Sequence, residues 1–134
     1  MERTKGTIVS TAVKILVVVL CLPLIALGVG AMFNPAFMSG RLGVDPQGIP
    51  GLSTIRGDVG GLLLGSAIIM LVGVWRSNTT WFLAAAVMMS TVAFGRLVGF
   101  VVDGLDPAIV PAFVIEIVIT AVMIATHRRY SAVS

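Results

Sequence analysis

The sequence predicts an all-α integral membrane protein, a four-helix bundle with both termini cytoplasmic, and three observations carry that reading. Hydrophobic residues make up 57% of the 134 positions and charged residues 11%, where a soluble domain carries roughly 25% charged residues; mean hydropathy is +1.07. The apolar residues gather into four stretches, each long enough to cross about 30 Å of hydrocarbon at 1.5 Å per residue. The basic residues, finally, sort to one side of those stretches. Such a composition excludes a disordered chain, and the length suits one membrane domain.

The first span is expected over 15–33, because no formal charge occurs from Ile15 to Gly40. The second falls at about 54–75, the third at 81–102 and the fourth at 107–126. Trp75 and Trp81 flank the short turn of residues 76–80, where amphipathic indoles settle at a membrane interface. That turn makes the second and third spans an antiparallel hairpin. Asp106-Pro107 reads as an N-cap followed by proline at the first helical position, where its missing N–H costs nothing, and so starts the fourth span. The connection 34–53 is too long for an idle turn in so small a chain and mixes Phe37, Met38, Leu42 and Ile49 with glycine and proline. It reads as a cap over the outer mouth or as an amphipathic segment resting in the headgroups.

Arg3, Lys5, Lys14, Arg76, Arg128 and Arg129 all fall on the face shared by the termini and the middle turn. The positive-inside rule makes that face cytoplasmic, and the expected location is a bacterial inner membrane. A net charge of +3 reports this topology. Nucleic-acid binding would need a clustered basic face, so none is expected. One cysteine, Cys21, and one histidine, His127, exclude a disulfide framework and a His or Cys metal site; no metal and no cofactor are expected. The chain also lacks a phosphate loop, a dinucleotide fingerprint and a nucleophile elbow.

Chemistry therefore rests on polar residues placed where lipid should be. Arg96 and Asp103 are seven residues apart in the third span, nearly two turns and so on one face, with Arg96 about 10 Å below the mouth. A buried arginine at that depth costs several kcal/mol unless paired or hydrated. Glu116 lies about 14 Å from Pro107, close to the expected bilayer midplane, and its protonation depends on whether Arg96 reaches it. Thr120, one turn further along, is placed to bond a ligand, the Glu116 side chain or the Glu116 carbonyl. Asp58 enters the second span about one turn below the mouth, and Arg56 precedes it within reach of headgroups. If these faces converge they form one polar pocket opening outward; the alternative is a salt-bridge network that fixes helix register. Gly57, Gly61 and Gly65 recur every four residues and mark a helix-packing stripe, expected to meet the first span at Gly28 and Ala31 or else another protomer.

The segment Gly51-Leu-Ser-Thr-Ile-Arg-Gly-Asp-Val-Gly-Gly61, then Gly95-Arg96-Leu-Val-Gly99, Asp103-Gly104 and Pro111 to Glu116, resembles a bacterial domain-of-unknown-function family of small four-helix membrane proteins. More distantly, the layout is similar to DoxX-like four-helix membrane proteins. The resemblance implies the four-helix bundle and marks Arg56, Asp58, Arg96, Asp103 and Glu116 as family-type polar positions; it implies no activity.

The expected function is an intramembrane pocket for a small or lipidic ligand or a proton, with Glu116 as proton carrier or ligand acceptor, Arg96 as counter-ion and anion binder, and Asp58 and Asp103 orienting Arg96. One alternative is a small membrane enzyme, a cyclase, isomerase or hydrolase on a hydrophobic substrate, with Glu116 as the catalytic general acid. Another is an accessory subunit of a membrane complex. Expected partners are membrane lipid, a small hydrophobic or anionic ligand, and a second copy or a membrane-complex subunit.

Overall fold

A computed structural model describes residues 9–131, so Arg3 and Lys5 lie outside the described residues. The chain is helical throughout its ordered elements, with no strand among the described residues: α1 (Thr11–Phe33), α2 (Pro35–Leu42), α3 (Gly48–Thr54), a π-helical segment (Ile55–Gly60), α4 (Gly61–Arg76), α5 (Thr79–Val102) and α6 (Val110–Ser131). Four helices are long and apolar enough to cross a membrane: Thr11–Phe33, Gly48–Arg76, Thr79–Val102 and Val110–Ser131. Only 22–28% of the most apolar window of each is buried inside the protein. The outward faces carry Ile15, Leu22, Ile68, Val87 and Phe94, which only an apolar surrounding would accept.

Local chemistry explains the boundaries, several of which differ from the expected ones. Asn34 caps α2 by accepting from Phe37 N at 3.3 Å, Pro35 takes the first helical position, and Gly43 at φ +67° stops the helix in the left-handed region that favours glycine. The expected connection 34–53 is therefore mostly helix. α2 folds back on α1, seating Met38 against Gly30, and α3 runs without interruption through the π segment into α4. α5 starts at Thr79, where the Asn78 side chain accepts from Thr80 N at 2.9 Å. The fourth span begins at Val110 rather than at residue 107. Asp106 does cap, but it caps a turn, accepting from Ala108 N at 2.8 Å and, through its carbonyl, from Ile109 N at 3.0 Å. Pro111 is the reason: with no N–H it cannot donate to the carbonyl of Pro107, so the α-helical ladder opens only with Phe113 N to Ile109 O at 3.2 Å.

α1 packs along the π segment and α4, α4 meets α5, and α5 and α6 pair along most of their length. The start of α1 reaches the end of α6, where Ser10 N donates to the Tyr130 hydroxyl at 3.1 Å. His127 Nδ1 lies 3.0 Å from the Thr79 carbonyl at that same end. We call it the terminal end and the opposite one the distal end. The core fills the terminal half with Val17, Cys21, Met70, Phe82, Met89 and Met123. Alanines at 85 and 86 let α5 approach its neighbours, and Gly73 leaves room for Phe82, whose ring a Cβ there would meet at 2.9 Å.

Candidate functional site

α5 and α6 run antiparallel, and their distal halves carry an ion pair. Arg96 Nε donates to Glu116 Oε1 at 2.8 Å and Oε2 at 3.0 Å. Glu116 is buried and its side chain only 9% exposed, whereas that of Arg96 is 34% exposed. The acid is thus sealed between helices and the base looks out. Both carboxylate oxygens share one N–H, and neither Nη of Arg96 has a hydrogen-bond partner among the described residues. A guanidinium has five N–H donors, so four remain for something else.

Arg96 also lines a cleft of about 130 Å³ at the distal end, together with Gly99, Phe100, Asp103, Gly104 and Ile109. Asp103 ends α5, donating its own N–H to Gly99 O at 2.7 Å. Its carboxylate is exposed and unpaired among the described residues. Gly104 takes φ +99°, a conformation open to glycine, and so turns the chain away at the rim without a side chain that would fill the opening. Phe100 and Phe113 meet edge to face, centroids 5.2 Å apart. They sit one turn distal to Arg96 and Glu116 respectively and pack the seam beside the pair.

The depth of Glu116 needs correcting. With α6 starting at Val110, Glu116 lies about 9 Å from its helix start, in the distal half of the span rather than near its middle. Arg96 lies at the same depth, about 9 Å from Val102. Thr120 keeps its expected position one turn deeper, but Oγ1 bonds neither the Glu116 carboxylate nor the Glu116 carbonyl. It is buried without a hydrogen-bond partner. Thr120 also lines a second cleft between α5 and α6, of about 210 Å³, with Ser90, Ala93, Phe94, Leu97 and Phe113. That cleft is almost wholly apolar.

Arg56 and Asp58 belong to a different pair of elements. Both lie on the π segment, which packs on α1, α2, α3 and α4. Arg56 Nη1 donates to Met32 O, satisfying a carbonyl left over at the end of α1 and placing positive charge at that helix's negative pole. Asp58 is exposed and makes no ion pair or hydrogen bond among the described residues. Neither expected orienting contact to Arg96, from Asp58 or from Asp103, is made.

The glycine stripe also turns out differently. A Cβ at Gly57, Gly61 or Gly65 would meet nothing within 4 Å, so the stripe touches neither α1 nor any other described part of the chain. The close approach is made instead by Gly28 and Gly60: a Cβ at Gly28 would lie 3.0 Å from Leu64 N and 3.2 Å from Gly60 O, and one at Gly60 would lie 3.1 Å from Gly28 O. Three features escaped the sequence reading: this contact, the π turn and the Phe100–Phe113 pair. The aromatic pair had a signal, since Phe100 follows Arg96 by four residues and Phe113 precedes Glu116 by three, each on its neighbour's face.

No group of three or more His, Cys, Asp or Glu side chains fit to hold a metal occurs among the described residues. Cys21 is buried in the core, its thiol directed to Ala67 O at 3.7 Å. In comparisons with known proteins, the family model described as Domain of unknown function (DUF4345) matches residues 12–127. No curated protein and no solved structure matches the chain.

Proposed function

The chain belongs to the DUF4345 family, which brings no activity with it, and on its own geometry we propose that it is a four-helix inner-membrane protein of bacteria whose distal cleft binds an anionic amphiphile. The observation that carries this reading is the Arg96 fork. Its Nε is held by Glu116, its four Nη donors have no partner among the described residues, and the residue lines a cleft within about 10 Å of the helix end. A cation at that depth is costly unless it is paired or hydrated, and an acidic head on an apolar tail supplies both the acceptors and the surroundings. Glu116 acts as positioning group: it anchors the guanidinium by one edge and leaves the other edge free. The terminal end then faces the cytoplasm, as Lys14, Arg76, Arg128 and Arg129 require, and the cleft opens on the outer leaflet.

Thermal unfolding in a mild non-ionic detergent tests the reading, with dodecyl phosphate and dodecanol as matched probes. Binding to the folded state raises its apparent stability. Dodecyl phosphate should raise the midpoint of the wild type by about 4 °C or more and leave Arg96→Gln/Glu116→Gln unmoved, with dodecanol inert in both. An equal response of the two proteins to dodecyl phosphate would overturn it.

A further inference from the structure

Resting on that reading, we infer that the distal cleft selects zwitterionic heads, its ligand being a phospholipid whose phosphate sits on Arg96 and whose ammonium sits on Asp103. Two opposite charges line one cleft. At its inner end is a guanidinium with its Nη donors unbonded, and at its rim a carboxylate without a partner among the described residues. They stand seven residues apart on α5, about 10.5 Å along the axis. Both residues line the same cleft, and the reach of the two side chains together with a phosphoethanolamine head covers that span. Arginine recognises phosphate with its paired donors, and an ammonium matches a carboxylate as a compact point charge. An anionic head without an ammonium keeps the Arg96 contact but meets Asp103 as a like charge, so it binds less tightly than a zwitterionic one.

Size and surroundings agree with such a head. The cleft holds about 130 Å³, too little for a large polar ligand. Gly99 and Gly104 keep its wall bare: a Cβ on Gly99 would lie 3.8 Å from the Asp103 carboxylate. On the same helix pair a second, apolar cleft of about 210 Å³ is lined by Ala93, Phe94, Leu97 and Phe113. The shared chemistry is a phosphate and an ammonium one short linker apart; a bilayer lipid and a soluble phosphoethanolamine both carry it.

The test is competitive lipid binding to the full chain by native mass spectrometry, from an equimolar mixture of phosphatidylethanolamine and phosphatidylglycerol with matched acyl chains. The wild type should retain the ethanolamine lipid over the glycerol lipid by about tenfold. Asp103→Asn, an exposed and conservative change, should bring that ratio to about one by admitting the glycerol lipid. Arg96→Gln/Glu116→Gln, which removes both charges and so leaves no buried acid unpaired, should retain neither. Addition of soluble phosphoethanolamine separates the sources: displacement of the lipid at millimolar concentration would overturn the lipid as ligand, and no displacement supports it. A wild-type ratio near one, or a ratio untouched by Asp103→Asn while the double variant still abolishes retention, overturns the zwitterion and leaves the anion cleft standing. Retention that survives the double variant overturns both.

Discussion

Arg96 meets Glu116 through Nε alone, at 2.8 and 3.0 Å, and the rest of its guanidinium has no partner among the described residues. A pair whose only task is to lock α5 on α6 is best made fork to fork, with two parallel N–H···O bonds; here a single N–H bridges both carboxylate oxygens. Removing Arg96 alone strands a carboxylate between helices, so Arg96→Gln should lower stability in detergent more than Arg96→Gln/Glu116→Gln does. The coupling in the double-mutant cycle is expected at about 1–2 kcal/mol; additive single effects would show the pair to be energetically idle. Arg96 and Glu116 were legible in the sequence because charges inside apolar runs stand out. Their pairing was not legible. It depends on the rotation of α6, and Pro111 moves the start of that helix three residues beyond the Asp-Pro signal. Thr120 was legible as a position only, since the rotamer that leaves Oγ1 unpartnered is a matter of packing against α5.

Among the elements, the second span shows how a periodic signal can be sound and still leave its direction open. Glycines at 57, 61 and 65 mark a bare stripe, yet spacing says nothing about where the stripe points. Its facing is set by Ser66, Ala67 and Met70, which are buried, and by Gly60, pressed against Gly28. The π turn at Ile55–Gly60 also shifts the register of everything before it, and π turns are common at functional sites. The consequence is measurable by thermal unfolding. Gly28→Ala places a methyl group 3.0 Å from the Leu64 backbone nitrogen, and should cost about 1–3 kcal/mol. Gly65→Ala enters open space within α4 and should be neutral or stabilising by up to about 1 kcal/mol, since alanine loses less backbone entropy than glycine. The opposite order would mean that the stripe, not Gly28, carries the helix contact.

For the molecule as a whole, apolar bunching makes four helices evident in the sequence, and they fall at the four stretches named, none shorter at an end except the fourth at its start. The capping chemistry of Asn34 and Asn78 and the missing N–H of Pro111 decide those ends, and the division of polar groups between two helix pairs lay beyond the sequence, because no periodicity reports which helices are neighbours. On the proposed reading, the basic residues set the orientation, with the terminal end in the cytoplasm. In a Cys21→Ala background, Gln47→Cys should react with a membrane-impermeant maleimide on intact cells, and Ser77→Cys only after permeabilisation; the reverse pattern would invert the topology. The central claim is that Arg96 and Glu116 form a binding cleft within the membrane. It is tested most directly by native mass spectrometry of the protein taken from its membrane in mild detergent, wild type beside Arg96→Gln/Glu116→Gln. The account predicts a discrete retained amphiphile on the wild type that is lost from the variant. A wild type free of ligand, running as a dimer or with a partner chain that survives both substitutions, would contradict it and make the charges interhelical glue in an accessory subunit.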